Sequence, residues 1–501
     1  MKTQKLTSLM LLGMATAAAA QEKAPNLVLF LADDCSYTDL GCYGSPDAVT
    51  PNIDNFAKQG MQFNACYQAA PMSSPTRHNL FTSLWPVCTG AYPNHTTANP
   101  GTNSIVQHLR PLGYKVALAG KSHIGPDEVF PFDRYIPLSG GGEVDFDAVE
   151  DFMKGCIKDE TPYCLLVTSH QPHTPWTKGD RSLYDASKLS LPPMWVDTPE
   201  TRGDYVKYLA EVSFMDSEFG SLLHLLDKYG QSDEAFVIYL SEQGNSFPFA
   251  KWTCYNSGVH SACLVRWPGK IKAGSVSDAM VEYVDVTPTF VDIAGGQPQS
   301  PMDGESFKNV LLGKTKHHKD YTYSLQTSRG IHGGPEFYGI RSVADARYRY
   351  ILNLTPDASF KCLAMNSGFF SSWKAKAEND KDAAWTVDRF QHRPAEELYD
   401  TEKDPYCLNN LAGQQKYARK LVELRGKLQE WMTACGDEGQ ATELRAKEFI
   451  HRAPHVGAVP KNKKNDQNVD KAKKGNKGKV DKGNKGKGNK KANKQHKKTN
   501  S

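Results

Sequence analysis

Asn26-Leu27-Val28-Leu29-Phe30-Leu31-Ala32-Asp33-Asp34 decides the fold. An apolar run from Leu27 to Ala32, with no polar alternation, marks a strand buried on both faces. Such strands belong to parallel sheets covered by helices on either side. The run stops at two acids, and the same grammar recurs down the chain. Tyr114–Ala119 runs into Gly120-Lys121-Ser122-His123, Tyr163–Thr168 into His170-Gln171-Pro172-His173, and Ala235–Leu240 into Ser241-Glu242-Gln243-Gly244. Helical patterns separate these runs: Pro51–Gly60, Phe146–Ile157, and a long one placing Tyr208, Val212, Met215, Phe219, Leu222 and Leu226 on its inner face. The alternation predicts an α/β fold, a large and mainly parallel sheet sandwiched by helices. In open α/β sheets ligands bind just past the carboxyl ends of the strands. Asp33, Asp34, Lys121, His123, His173, Glu242 and Gln243 therefore gather at one edge.

Pro71-Met72-Ser73-Ser74-Pro75-Thr76-Arg77 opens a further helix, with Ser74 as the expected N-cap and Pro75 as its first residue. Ser73 then lies just outside a helix N-terminus, where free N–H groups and the dipole favour an anion. Arg77, one turn in, can fold back to the same spot. Taken alone, the short motif reads first as a surface Ser-Pro turn capping an ordinary helix; the strand-end residues are what give it chemistry.

Working outward, residues 1–20 pair Lys2 and Lys5 with an apolar centre, Leu6–Ala15, and a small-residue end, Ala18-Ala19-Ala20. This is the pattern of a signal peptide, so the mature protein is expected to be periplasmic or secreted, without a transmembrane anchor. A catalytic domain is expected over 21–325. From about Gln326 the pattern shifts to shorter alternating strands and an amphipathic helix, Lys416–Met432, predicting a smaller C-terminal α+β subdomain over 326–455. Residues 456–501 form a basic Lys/Asn/Gly tail with almost nothing apolar, expected to be disordered. From Lys461 onward it carries 16 Lys against 3 Asp, so the net charge of +4 hides a body of 44 basic and 53 acidic residues, about −9. Such a polycation suits anionic polysaccharide or envelope lipid, and no motif points to nucleic acid. The 11 cysteines are odd in number and lack metal-site spacing, so most are read as buried small hydrophobes.

Asp33 and Asp34 with Glu242 and Gln243 offer hard oxygen ligands, a set suited to Ca²⁺ or Mg²⁺ rather than zinc. Two lysines and an arginine beside them suggest a multiply charged tetrahedral oxyanion substrate, and the histidines are natural proton donors to a leaving oxygen.

Through these motifs the chain resembles the type I sulfatases, a branch of the alkaline phosphatase superfamily. The shared segments include Leu31–Asp34 with Asp39–Gly44, Thr50–Asp54, Ala70–Arg77, Gly113-Tyr114 to Gly120-Lys121, His123–Gly125, Pro172–Pro175, Ser241–Gly244, Asp285–Gly295, Asp303-Gly304, and Glu397–Asp400 to Asn410-Leu411. In that family the residue matching Ser73 is Cys or Ser and is converted to formylglycine. Serine here resembles the substrates of radical S-adenosylmethionine maturases of anaerobic bacteria. The resemblance implies an alkaline phosphatase-like fold, with Ca²⁺ (or Mg²⁺) held by Asp33, Asp34, Glu242, Gln243 and modified residue 73. It places Arg77 and Lys121 on the formylglycine, Lys251 on the sulfate, His123 beside the hydrate, and His173 as donor to the leaving oxygen. One hydroxyl of the hydrate attacks sulfur and the other later expels sulfate. Glu242-Gln243 departs from the more frequent Asp followed by Asn or His; Thr76, Ser83 and Ser122 replace the usual Ser, Gly and Trp.

The expected activity is hydrolysis of sulfate esters in sulfated oligo- or polysaccharides. Leu191-Pro192-Pro193 to Arg202 resembles the branch containing heparan N-sulfatases, which keeps an N-sulfoglucosamine sulfohydrolase open. A phosphatase or phosphodiesterase of the same superfamily, with Ser73 attacking directly, stays open too, as does an inactive glycan-binding homologue. His78, His95, Trp176 and Trp252 lie near these segments, either as sugar contacts or as loop packing.

Overall fold

The computed structural model describes residues 24–331, 333–450 and 455–457. The segment read as a signal peptide, and the basic tail beyond Gly457, lie outside the described residues.

The opening run forms strand β1, Leu27–Asp33, at the middle of a nine-stranded sheet. Its partners are β2 (Met61–Tyr67), β3 (Lys115–Gly120), β4 (Arg134–Ile136), β5 (Tyr163–Thr168), β6 (Phe236–Glu242), β7 (His260–Arg266), β8 (Ser275–Ser277) and β9 (Val281–Glu282). The order is β4-β3-β5-β1-β6-β7-β2-β8, with β9 also on β2. From β4 to β6 every pairing is parallel; β7 runs antiparallel to both β6 and β2.

The lack of polar alternation in β1 has a direct cause. Val28, Phe30 and Ala32 enter one core while Leu27, Leu29 and Leu31 enter the core on the opposite face. The helix Pro199–Lys228 covers the first face with Tyr208, Val212, Met215, Phe219, Leu222 and Leu226, joined by Ile53 and Phe56 of helix α1 (Pro51–Gln59). The second face is covered by Phe290 and Ile293 of Val286–Ile293, by Ile105 and Leu109, and by Leu80 and Phe81 of helix α2 (Ser73–Thr82).

A second, antiparallel sheet contains β10 (Thr322–Gln326), β11 (Ile340–Ala344), β12 (Tyr348–Asn353) and β13 (Glu396–Asp400), in that order. The helix Ala418–Ala434 packs Leu424, Leu428, Trp431 and Met432 with Leu325, Val343, Tyr350 and Leu398 of this sheet. This is the expected smaller α+β part, but its sheet starts at Thr322, before the expected boundary at 326. All described residues belong to one compact unit, because the core of the large sheet continues through Phe249 and Tyr255 to Phe360, Phe390 and Tyr399. All 11 cysteines are unbridged, and all but Cys42 and Cys88 are buried. Among the described residues no helix is long and apolar enough to cross a membrane.

Candidate active site

Four parallel neighbours, β3, β5, β1 and β6, end level with one another. Gly120 and Leu31 both pair with Thr168, and Asp33 pairs with Glu242. The turns beyond them interlock: Asp33 N–H donates to Gln171 O (3.0 Å) and Cys35 N–H to Glu242 O (3.2 Å). Asp34, His123 and Gln243 hold φ angles of 63°, 55° and 29°. Residues with side chains rarely adopt this left-handed region, and those that do cluster where a site dictates side-chain direction.

Helix α2 enters the same space. It begins two residues earlier than the Ser-Pro pair suggests: extended Met72 is the N-cap, and Ser74 and Pro75 lie inside the first turn. Proline fits there because the first N–H groups of a helix have no helical acceptor. Ser73 thus stands on the first turn rather than beside it. Its Oγ is 3.0 Å from Asp33 Oδ1, 2.9 Å from Gln243 Nε2 and 3.4 Å from Lys121 Nζ.

Three cations meet the acids around this hydroxyl. Lys121 Nζ bonds Asp33 Oδ2, Arg77 Nη2 bonds Glu242 Oε2, and Lys251 Nζ donates to Asp34 Oδ2 (2.6 Å). Arg77 also donates Nη1 to Lys121 O (2.7 Å), tying α2 to the end of β3. Lys251 arrives on the loop after β6, where its N–H donates to Asn245 O (3.1 Å) while Asn245 is held by Ser36 Oγ and Asp39 Oδ2.

The electrostatics follow from this packing. Burial pushes the Asp33 carboxyl up, but Lys121, His173, Arg77 and Lys251 together outweigh it and hold Asp33 well below the usual range. Asp34 behaves likewise, with burial outweighed chiefly by Lys251 and His173. At Glu242 burial wins over Arg77, and the nearby Asp33 charge adds to it, so this carboxyl is pushed up to about 7. Burial pushes His173 down to about 4, so its ring is neutral near pH 7. Its Nδ1 contacts its neighbour's carbonyl, Thr174 O (2.6 Å), which fixes the proton there and leaves Nε2 facing Asp34 Oδ2 at 3.7 Å. An anion bound beside it raises its proton affinity.

The donor set fits a hard divalent cation. Glu242 Oε1 and Gln243 Oε1 are both buried without a hydrogen-bond partner, a costly condition that an ion relieves. Asp33, Asp34, Ser73, Glu242 and Gln243 converge as expected, with one correction. Gln243 presents Nε2, not oxygen, to Asp34 Oδ1 (2.6 Å) and Ser73 Oγ; a half-turn of the amide exchanges the two ends.

Lys251, His123 and His173 also reach the site, but sequence reasoning missed what surrounds them. Asp33, His170 and His173 each offer a ligand atom within 4.8 Å of the others. His123 Nε2 meets His95 Nδ1 at 2.8 Å, and the His455 ring packs edge-on against His123 at 5.2 Å. The segment carrying His455 is strapped beside His123: Val456 N–H donates to Ile124 O and Ser122 Oγ to Val456 O, both at 2.8 Å. Only the small side chain at 122 hinted at this. His78, by contrast, is packing: it is fully buried, with its ring nitrogens against Ser74 O (2.7 Å) and Gly125 O (3.2 Å).

The chain's relatives agree with this geometry. A family model described as Sulfatase matches residues 25–296, and one described as N-sulphoglucosamine sulphohydrolase, C-terminal, matches 244–360. An ulvan-active sulfatase of Formosa agariphila is 31% identical, covering 85% of this chain and 83% of its own. The human N-sulphoglucosamine sulphohydrolase is 25% identical, covering 82% and 90%. Among solved structures, a protein in complex with its substrate D-glucosamine-2-N,6-O-disulfate superposes with a TM-score of 0.62 at 20% identity, over 83% of this chain and 99% of that one. A phosphonate monoester hydrolase of Agrobacterium radiobacter shares the fold at TM-score 0.62 and 17% identity, over 83% and 97%. With its strand-end acids, its cations and its helix-borne serine in place, the chain belongs to the sulfatase family, within the alkaline phosphatase-like superfamily, and is a sulfuric ester hydrolase.

Proposed function

We propose that this protein is an exported sulfatase that removes sulfate from sulfated glycans, with a formylglycine made from Ser73 by a radical S-adenosylmethionine maturase. The carrying observation is the placement of Ser73 Oγ between Asp33, Gln243 and Lys121 at the start of α2. A hydrated formylglycine at that point supplies a nucleophilic hydroxyl and a second hydroxyl to expel the sulfate. Ca²⁺, or Mg²⁺ in its place, would be held by Asp33, Asp34, Glu242, Gln243 and residue 73, and would supply positive charge against the sulfate oxygens.

The chain's own residues do the rest. Lys121 and Arg77 hold residue 73 and its carboxylate neighbours, and Lys251 neutralises sulfate charge in a buried setting where such contacts are strong. His173, its Nδ1 proton fixed by Thr174 O, takes up a second proton at Nε2 when the sulfate anion binds beside it, and passes that proton to the leaving oxygen. His123, backed by His95, orients the hydrate.

Sulfated glycans as the substrate class are supported by the ulvan-active and N-sulphoglucosamine relatives. The match of residues 244–360 to the N-sulphoglucosamine sulphohydrolase C-terminal model favours an N-sulfate as the second reading. Protein matured in an anaerobic host, assayed on defined O- and N-sulfated mono- and disaccharides, tests both. Sulfate release from at least one sugar is expected. Release from none, with phosphate or phosphonate esters cleaved instead, overturns the reading.

A further inference from the structure

The turn that carries His123 is gripped on both sides by one residue of the C-terminal segment. Ser122 donates Oγ to Val456 O, and Val456 N–H donates to Ile124 O, both at 2.8 Å. The two bonds hold the neighbours of His123 and leave its left-handed backbone, φ 55°, between them. A residue with a side chain keeps such a conformation only where its surroundings over-determine it. Val456 is itself anchored. Its side chain is buried in the core that includes Ile124, and Gly457 lies so close to Tyr135 that a Cβ there would stand 2.0 Å from the ring. The serine at 122, where the family more often carries tryptophan, supplies the hydroxyl and leaves the strap room.

His455, one residue before this clamp, joins the two segments that carry His95 and His123. Its ring stands edge-on to His123 at 5.2 Å and 87°, and its Nε2 donates to Thr96 O at 3.0 Å, the carbonyl next after His95. A short antiparallel bridge between Thr96 and Ile450 ties the same stretch to the C-terminal segment. His95 in turn meets His123, Nδ1 to Nε2, at 2.8 Å. The direction of that bond follows from its neighbours. Asn94 Oδ1 accepts from the N–H of Ser74 (3.4 Å), so its Nδ2 donates to His95 Nε2 (3.2 Å). His95 then carries its proton on Nδ1 and donates it to His123 Nε2. The proton of His123 is left on Nδ1, a buried atom with no hydrogen-bond partner among the described residues.

We infer that His455 is a positioning residue of the reaction: it holds the segments of His95 and His123 together, and so keeps the Nδ1–H of His123 available to the hydrate at residue 73. The inference rests on the sulfatase reading above. His455 acts through His123 and not on the substrate. Loss of its ring frees His123 to turn away from His95, and a reacting or orienting group displaced by about 1 Å costs up to roughly 10² in rate.

The test uses the full chain, matured for kinetics and with Ser73 unmodified for spectroscopy. His455→Ala is expected to lower kcat on a sulfated monosaccharide by about tenfold, with KM changed by about twofold at most, the mark of a misplaced group. His455→Gln keeps a donor where Nε2 stood and is expected to recover most of that loss. Val456→Pro, which lacks the N–H for Ile124 O, is expected to lower kcat in the same way. The spectroscopic arm needs no turnover. In histidine-labelled protein the NMR signal of the His123 ring, identified by its loss in His123→Gln, is expected to shift and broaden in His455→Ala and to return in His455→Gln. A rise in KM at unchanged kcat would make His455 a substrate contact and overturn the inference, as would a His123 signal that does not move. That signal change supports the clamp even where no sulfate is released, whereas sulfate release with an unmoved signal overturns the clamp and leaves the sulfatase reading intact.

Discussion

Ser73 Oγ, on the first turn of α2, lies within hydrogen-bond reach of a buried carboxylate, a buried amide and a partly exposed ammonium. Ser73→Ala is therefore expected to abolish turnover while leaving the fold intact, because the hydroxyl fills no core position. Lys121→Met removes the partner of Asp33 and a neighbour of Ser73, and is expected to lower kcat by roughly 10²–10³, the range for losing one charge-stabilising donor. Single-turnover sulfate release against a circular-dichroism control checks both. Ser73 was marked by its helix start, and the sequence placed the acids and Lys121 at one edge because each follows a strand end, a positional rule that needs no side-chain detail. His170, Ser246 and His455 escaped it. The first was masked by His173 in the same turn, and the other two reach the site through loop paths that carry no periodic signal.

At the scale of elements, one contact shows how the layers are tied together. Asp216, in the middle of the helix Pro199–Lys228, accepts from the N–H groups of Asn52 (3.2 Å) and Ile53 (2.8 Å) and from Asn52 Nδ2 (2.7 Å). It thus caps α1, whose own N-cap Thr50 makes no side-chain capping bond. Asp216→Ala is expected to cost about 1–3 kcal/mol, because it strands buried N–H groups; urea unfolding measures it. The apolar runs gave strand positions to within one or two residues, since burial on both faces leaves no other reading. The start of α2 lies two residues before the expected one because Pro75 is allowed anywhere in a first turn. The serine at position 83, where the family usually has glycine, holds φ at 56° and donates Oγ to Val284 O (2.7 Å). That left-handed backbone is what glycine adopts freely.

Across the whole molecule, buried neutral histidines set the acid limit. Burial holds His78 at about 4 and His260 at about 3, while an unfolded chain protonates both near 6.5. The unfolded state therefore binds more protons between those values, so stability falls as pH drops from about 6.5 towards 4 and is unaffected by these groups above that window. For His78 alone the cost is about 3 kcal/mol at pH 4. Melting temperature against pH follows this, and His260→Phe, between the rings of Tyr37 and Tyr67, is expected to flatten the slope. At the other end of the chain, the basic tail begins just beyond Val456, which is hydrogen-bonded beside His123. Removing residues after Gly457 keeps that strap and deletes 16 Lys. Activity on a sulfated polymer is expected to fall at low salt and converge with the full chain at high salt, with a sulfated monosaccharide indifferent to the change. Equal polymer activity with and without the tail at low salt would assign it no part in substrate capture.

Everything proposed for the reaction depends on a nucleophile made from Ser73 after translation. Mass spectrometry of the Ser73 peptide decides the point, using protein matured in an anaerobic host and shown to release sulfate. The expected peptide is lighter than the encoded one by two hydrogens, the change from serine to formylglycine. An unmodified serine in protein with full sulfatase activity would contradict that chemistry.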